Sequence, residues 1–212
     1  AVASGREVIL DNGVFETGTA LNMENLAKWV NSINPTYYIV PDVLEDAKGT
    51  IENMKKWIDS YKDLVPVGCK MMGVVQGDDY RSMCECYMFM EFVADCDKIA
   101  FSFDLSCYRD MFQHDNELVS WCFGRIACLN RMLNDEILNV NKPIHLLGCS
   151  LPVEFQFYTG KLAEIIDSVD TSNPVVFGMN DIHYSPDFGP RIKIKTKLYT
   201  QISNHLSTDQ VQ

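Results

Sequence analysis

Seven residues in this chain stand where short β-rich runs end, and several carry groups able to exchange protons or act as nucleophiles. Asp11 follows Glu7-Val-Ile-Leu10, and Asp42 follows Tyr37-Tyr-Ile-Val40. Gln76 and Gly77 follow Met71-Met-Gly-Val-Val75, and Asp104 follows Lys98-Ile-Ala-Phe-Ser-Phe103. Gly148 follows Ile144-His-Leu-Leu147, and Asp170 closes the short run Asp167-Ser-Val-Asp170. In a parallel barrel the chemistry gathers at the C-terminal ends of the strands. An aspartate at a strand end usually forms a turn or caps a helix. It is the coincidence of four carboxylates and one amide on one rim that marks these positions as a candidate site.

The elements that would position them alternate regularly. Between the β-rich runs lie amphipathic helical patterns, and such alternation predicts a parallel sheet. Leu26, Trp29, Val30 and Ile33 share one helical face by spacing, as do Ile51, Met54, Ile58 and Tyr61, with Thr50 placed as a cap. Further helices are predicted over Tyr80–Val93, Glu117–Ile137 and Val153–Ile166, and Leu198, Ile202 and Leu206 stripe a last one. A seventh strand is predicted at Pro174-Val-Val-Phe177. The expectation is an α/β fold of TIM (β/α)8-type, one barrel domain over 1–206 with a tail at 207–212. Its first strand is expected to be missing from the N-terminus or supplied by a partner or second subunit. A flavodoxin-like open sheet is the structural alternative.

Composition bounds the function. The chain has 212 residues, is 47% hydrophobic and 22% charged, and so can bury one sizeable core. No apolar run approaches the roughly 20 residues that cross a bilayer, and the N-terminus AVASGREVIL lacks a signal pattern. Eight scattered cysteines lack the spacing of a secreted disulfide framework, so a reducing, cytoplasmic setting is expected. Cys84 and Cys86 read as helix packing residues, and five methionines (Met71, Met72, Met83, Met88, Met90) as core filler. The net charge of −11 argues against a broad phosphate-binding surface. The basic stretch Arg191–Lys197 reads as a solvated strand face. His145 lies within a strand and reads as a satisfied core histidine, whereas Asp181 and His183 sit nearer the rim after the last predicted strand.

Four of the segments together resemble the tRNA-guanine transglycosylase superfamily. Leu10-Asp-Asn-Gly-Val-Phe-Glu16 is similar to its Asp-Ser-Gly-Gly-Phe-Gln motif, and Gly73-Val-Val-Gln-Gly77 to its Gly-(Ile/Val)-Val-Gln-Gly loop. Pro41-Asp42 resembles the motif carrying the base-recognising aspartate, and Ile166-Asp-Ser-Val-Asp-Thr-Ser-Asn-Pro174 the segment carrying the nucleophile. The resemblance runs from about Glu7 to about Phe177 in the family's order.

That resemblance implies a base exchange in nucleic acid, DNA or tRNA, in which guanine gives way to a 7-deazaguanine. Asp170 would attack the anomeric carbon and hold the sugar covalently, and Asp11 would be the general acid/base. Asp42 would accept from the N1–H and exocyclic amine of the base, and Gln76 and the Gly77 backbone would reach its oxygen. Phe15, Asp104 and Gly148 complete the implied substrate-binding set.

The chain departs from the family in several places. No cysteine follows Cys149, so the family's zinc site is not expected, and no other cofactor is implied. Ile99–Asp104 is bulkier than the family's small-residue loop. Val14 replaces a glycine, and Glu16 a glutamine. The acidic charge and the missing basic subdomain look more like the zinc-free, virus-encoded paralogues linked to 7-deazaguanine modification of DNA. Two rivals stand beside the base-exchange reading: an inactive barrel that binds a purine-like ligand or a protein partner, and a hydrolase that releases the base.

Overall fold

The computed structural model describes residues 4–14, 18–179 and 181. Among the described residues six strands form one sheet: β1 Ile9–Leu10, β2 Tyr37–Ile39, β3 Lys70–Val75, β4 Lys98–Phe101, β5 Ile144–Leu146 and β6 Ile166–Val169. Every neighbouring pair is parallel, and the order across the sheet is the order in the chain. A flavodoxin-like sheet reverses its strand order at a switch point, and this one does not. The sheet curls into a half-barrel.

Helices cross between the strands: α1 Met23–Ile33, α2 Ala47–Ser60, α3 Tyr80–Phe92, α4 Ser106–Met111, α5 Glu117–Asn134, α6 Gly160–Ile165 and α7 Asn173–Met179. Polar residues in the connecting loops start many of them. Asn22 accepts from Asn25 N, Asp46 from Gly49 N and Asn116 from Leu118 N. Asp79 and Ser82 form a reciprocal capping box at the head of α3. Asn34 closes α1 in the left-handed region at φ 51°.

Side-chain alternation along the strands separates two apolar layers. Tyr38, Val40, Met71, Val75, Ile99, Phe101, Ile144 and Leu146 face the helices in the larger core. Tyr37, Ile39, Met72, Val74 and Ala100, with Ile9 and Leu147, form a second cluster on the concave face. On the helix side α4 packs tightly on α5: a Cβ added to Gly124 would lie 2.1 Å from Tyr108 O.

The structure corrects several expectations. Pro174–Phe177 is not a strand but the first turns of α7. Pro174 presets the helical φ of an opening turn, and a four-residue apolar run has too few positions to separate periods of 2 and 3.6. Val176 and Phe177 are buried while Val175 is exposed, as a one-sided helix requires. The helix expected over Val153–Ile166 is a 3₁₀ stretch, Pro152–Phe157, followed by α6, and Ile166 already belongs to β6. The helix α4, Ser106–Met111, adds to the helices expected from spacing.

Thr50 lies inside α2; its hydroxyl ties Val43 N and O, and Asp46 is the cap. On α1 the buried stripe is Met23, Leu26, Ala27 and Val30, whereas Trp29 and Ile33 are exposed. Cys84 and Cys86 are buried on α3, as expected of packing residues. No described helix is long and apolar enough to cross a membrane. The predicted last helix, the 207–212 tail, Arg191–Lys197, His183, Phe15 and Glu16 lie outside the described residues.

Candidate functional site

Strand parity carries three polar residues of the rim, Gln76, Ser102 and Asp170, onto the concave face. Gln76 continues the alternation of Met72 and Val74, Ser102 that of Lys98 and Ala100, and Asp170 that of Ser168. Two polar groups result, one at the ends of β1–β4 and one at the ends of β5 and β6.

The first is centred on Asp42, which is buried. Its Oδ1 accepts from Asn12 Nδ2 at 2.6 Å, and its Oδ2 from Gln76 Nε2 at 2.6 Å. Asn12 Nδ2 also donates to Val40 O at 3.0 Å, while its Oδ1 accepts from Val14 N at 3.0 Å. Gln76 Nε2 lies 3.3 Å from Ser102 Oγ, and Gln76 Oε1 accepts from Glu45 N at 3.0 Å. Glu45 makes that bond from the left-handed region, φ 57°, and its carboxylate accepts from Ser106 N at the start of α4. Burial pushes the Asp42 carboxyl up, the Asn12 and Gln76 amides pull against it, and the net shift is upward.

The second group is centred on Asp170, whose side chain is half-exposed. Its Oδ1 accepts from Gly148 N, and its Oδ2 faces His145 Nε2 at 3.6 Å. Gly148 sits at φ 64°, where a side chain would be strained, and this turns its N–H onto the carboxylate. Partial burial pushes the Asp170 carboxyl up. His145 and the Gly148 N–H, helped by more distant Arg125, outweigh it and hold the carboxyl below its usual range.

A buried frame holds this second group in place. Arg125 and Glu154, both fully buried, pair through Nε–Oε1 and Nη2–Oε2 bonds of 2.8 Å each. Arg125 Nη1 donates to Phe101 O at 3.2 Å and Leu147 O at 2.7 Å, tying the ends of β4 and β5 together. Cys149, whose thiol burial pushes up to about 12, lies 3.3 Å from Arg125 Nη2 and donates its backbone N–H to Asp170 O.

Four of the expected residues are thus paired off in two clusters. Asp42 and Gln76 are bonded to each other, and Gly148 is bonded to Asp170. Asp11 is exposed at the end of β1, with its Oδ1 accepting from Asn12 N at 2.8 Å. Asp104 is half-buried three residues beyond β4. Gly77 packs against α3, where an added Cβ would meet Ser82 Oγ at 2.6 Å and Met83 N at 2.7 Å.

Residues beyond the expected set also take part. Asn12, Ser102 and Glu45 complete the Asp42 cluster; Asn12 stands next to Asp11 in the Asp-Asn-Gly string. His145 is a satisfied buried histidine, as its strand position indicated, and it also borders Asp170.

A cleft of about 620 Å³ opens beside Asp42, lined by Val14, Leu21, Asn22, Pro41 and Tyr61 among others. A second, of about 570 Å³, is lined by Ser106, Arg109, Asp110, His114 and Ser120 among others. No group of three or more His, Cys, Asp or Glu among the described residues is placed to hold a metal. The chain matches no protein family model, and no curated protein sequence matches it.

Proposed function

We propose that the chain is a base-exchange glycosyltransferase on a (β/α)8-type barrel, replacing guanine in DNA or tRNA with a 7-deazaguanine. The observation that carries this reading is the Asp42–Gln76 pair, buried at the strand ends of the sheet whose last strand is followed directly by Asp170. A buried carboxylate beside a primary amide offers acceptors and a donor in the pattern of a guanine edge. Asp42, short of solvation, gains from N–H donors such as the N1–H and exocyclic amine. Gln76 and the Gly77 N–H then serve the ring oxygen. Base entry displaces the Asn12 and Gln76 amides from the Asp42 oxygens.

In the reaction, an Asp170 oxygen attacks C1′ as the bond to guanine N9 breaks. Asp11 gives the departing base a proton and takes one from the incoming base. The new N9 then displaces Asp170 from C1′, restoring the carboxylate. A carboxyl held ionised suits the attacking role. The target nucleotide has to be extruded from its stack. With a net charge of −11, the polymer needs basic surface from a partner or second subunit.

Purified protein is incubated with labelled guanine or 7-deazaguanine and DNA or tRNA. Incorporation that Asp170→Asn abolishes supports the proposal. A second reading, a barrel that only binds a purine, draws on the mutual saturation of Asp42 and Gln76 in the free protein. Base binding without incorporation by wild type selects it, and release of free base without incorporation selects a hydrolase.

A further inference from the structure

A line of polar side chains crosses the concave face from β4 to Asp170. Lys98, at the first position of β4, is buried, and its Nζ pairs with Asp167 Oδ2. The same Nζ lies 3.2 Å from Ser168 Oγ and 4.2 Å from the centre of the Tyr37 ring. Ser168 Oγ lies 2.9 Å from His145 Nδ1, and His145 Nε2 lies 3.6 Å from Asp170 Oδ2. An irregularity in the β5–β6 register skips Asp167, so that Asp167 reaches Lys98 while Ser168 still faces His145.

The chemistry of the groups gives the line a direction. An ammonium only donates, so Ser168 Oγ accepts from Lys98. Its single hydrogen then has one acceptor among its described contacts, His145 Nδ1. A neutral imidazole that accepts at Nδ1 carries its hydrogen on Nε2. That N–H faces the Asp170 carboxylate.

We propose that Lys98, Ser168 and His145 form a directional relay that locks the Nε2–H tautomer of His145 and thereby aims and holds Asp170 for attack. The inference rests on the base-exchange reading, in which Asp170 is the nucleophile. His145 and Ser168 are positioning residues; neither touches the base. At 3.6 Å the last link is longer than a full hydrogen bond, and a small rotation of half-exposed Asp170 closes it. The other Asp170 oxygen is held by Gly148 N, so once the His145 link closes the two contacts fix the plane of the carboxylate. The charged groups facing the line are Asp167 and Asp170 from β6 and its end, Lys98 from β4, and more distantly Arg125 from α5.

The test reads the imidazole directly. In ¹⁵N-histidine-labelled protein, two-bond proton–nitrogen spectra separate Nε2–H from Nδ1–H rings. The His145 signals are those absent from His145→Gln; should that variant fail to fold, Asp170→Asn identifies them by their displacement. Expected are a pure Nε2–H pattern in wild type and a mixed pattern in Ser168→Ala, with the remaining histidine signals unmoved. In the exchange assay Ser168→Ala lowers kcat about tenfold, the effect of losing one positioning hydrogen bond, with KM for the base within twofold. His145→Gln, which keeps an N–H donor, retains more activity than His145→Phe.

A wild-type Nδ1–H ring, or a Ser168→Ala spectrum identical to wild type, overturns the relay. A changed tautomer with an unchanged kcat overturns its positioning role. If the spectra behave as expected but wild type exchanges no base, the relay stands and the base-exchange reading falls.

Discussion

Replacing Arg125 by methionine should destabilise the protein more than any surface change, because of what it strands. Glu154 would keep only the Tyr158 hydroxyl, 2.5 Å from Oε1, and would hold a carboxylate at zero exposure with no counter-charge. Phe101 O and Leu147 O would lose their guanidinium donor at the ends of β4 and β5. Breaking one side of a buried pair costs about 3–5 kcal/mol, a large part of the roughly 5–15 kcal/mol that holds a domain folded. With a urea slope of about 2.5 kcal/mol per molar, the unfolding midpoint falls by about 1.5 M.

The double variant Arg125→Met with Glu154→Leu removes both charges. It should recover most of that loss, since an apolar pair of similar volume is often neutral or better, leaving the cost of the two carbonyls and of the Tyr158 hydroxyl, which loses its Glu154 acceptor. Equilibrium urea unfolding of wild type, Arg125→Met, Glu154→Leu and the double variant closes a double-mutant cycle. The reasoning is refuted if Arg125→Met lies within about 1 kcal/mol of wild type, or if the double variant is less stable than the single one.

Three further outcomes are expected. Gly124→Ala places a Cβ 2.1 Å from the Tyr108 backbone oxygen and so forces α4 off α5; a loss of at least about 2 kcal/mol is expected in the same unfolding assay. Asp170, held below its usual range, contributes stability present in full above about pH 3.9 and lost as pH falls through its lower folded value. The contribution is a few tenths of a kcal/mol because the group is half-exposed, so wild type should exceed Asp170→Asn slightly at pH 7 and lose that advantage in acid. Of eight free thiols, only Cys69 is not buried, so a thiol reagent applied to the native protein should modify one cysteine rapidly and the other seven only on unfolding. Its labelling should be slow below neutral pH, because burial pushes the Cys69 thiol up.

Much of the fold was legible because parallel strands buried on both faces read as continuous apolar runs separated by one-sided helical spacings. Six of the seven predicted strands stand within one or two residues of their places. The exception, Pro174–Phe177, shows the limit: its apolar side chains suit either element, and the decision falls to Pro174 at a helix start and to the partners that bury Val176 and Phe177. Trp29 and Ile33 fail in the same way, since a helical face is defined by spacing while the depth of its contact is set by what lies across it.

For the site, the polar residues that end the strands could be read from the order of amino acids alone, because strand parity and the Asp, Gln and Gly types are local properties. It could not say which of them would meet. That Asn12 and Gln76 clasp Asp42, and that His145 and Gly148 flank Asp170, depends on the register of strands many residues apart and on one irregularity beside Asp167. Such pairings are tertiary because a single-residue slip would turn each side chain to the opposite face of the sheet.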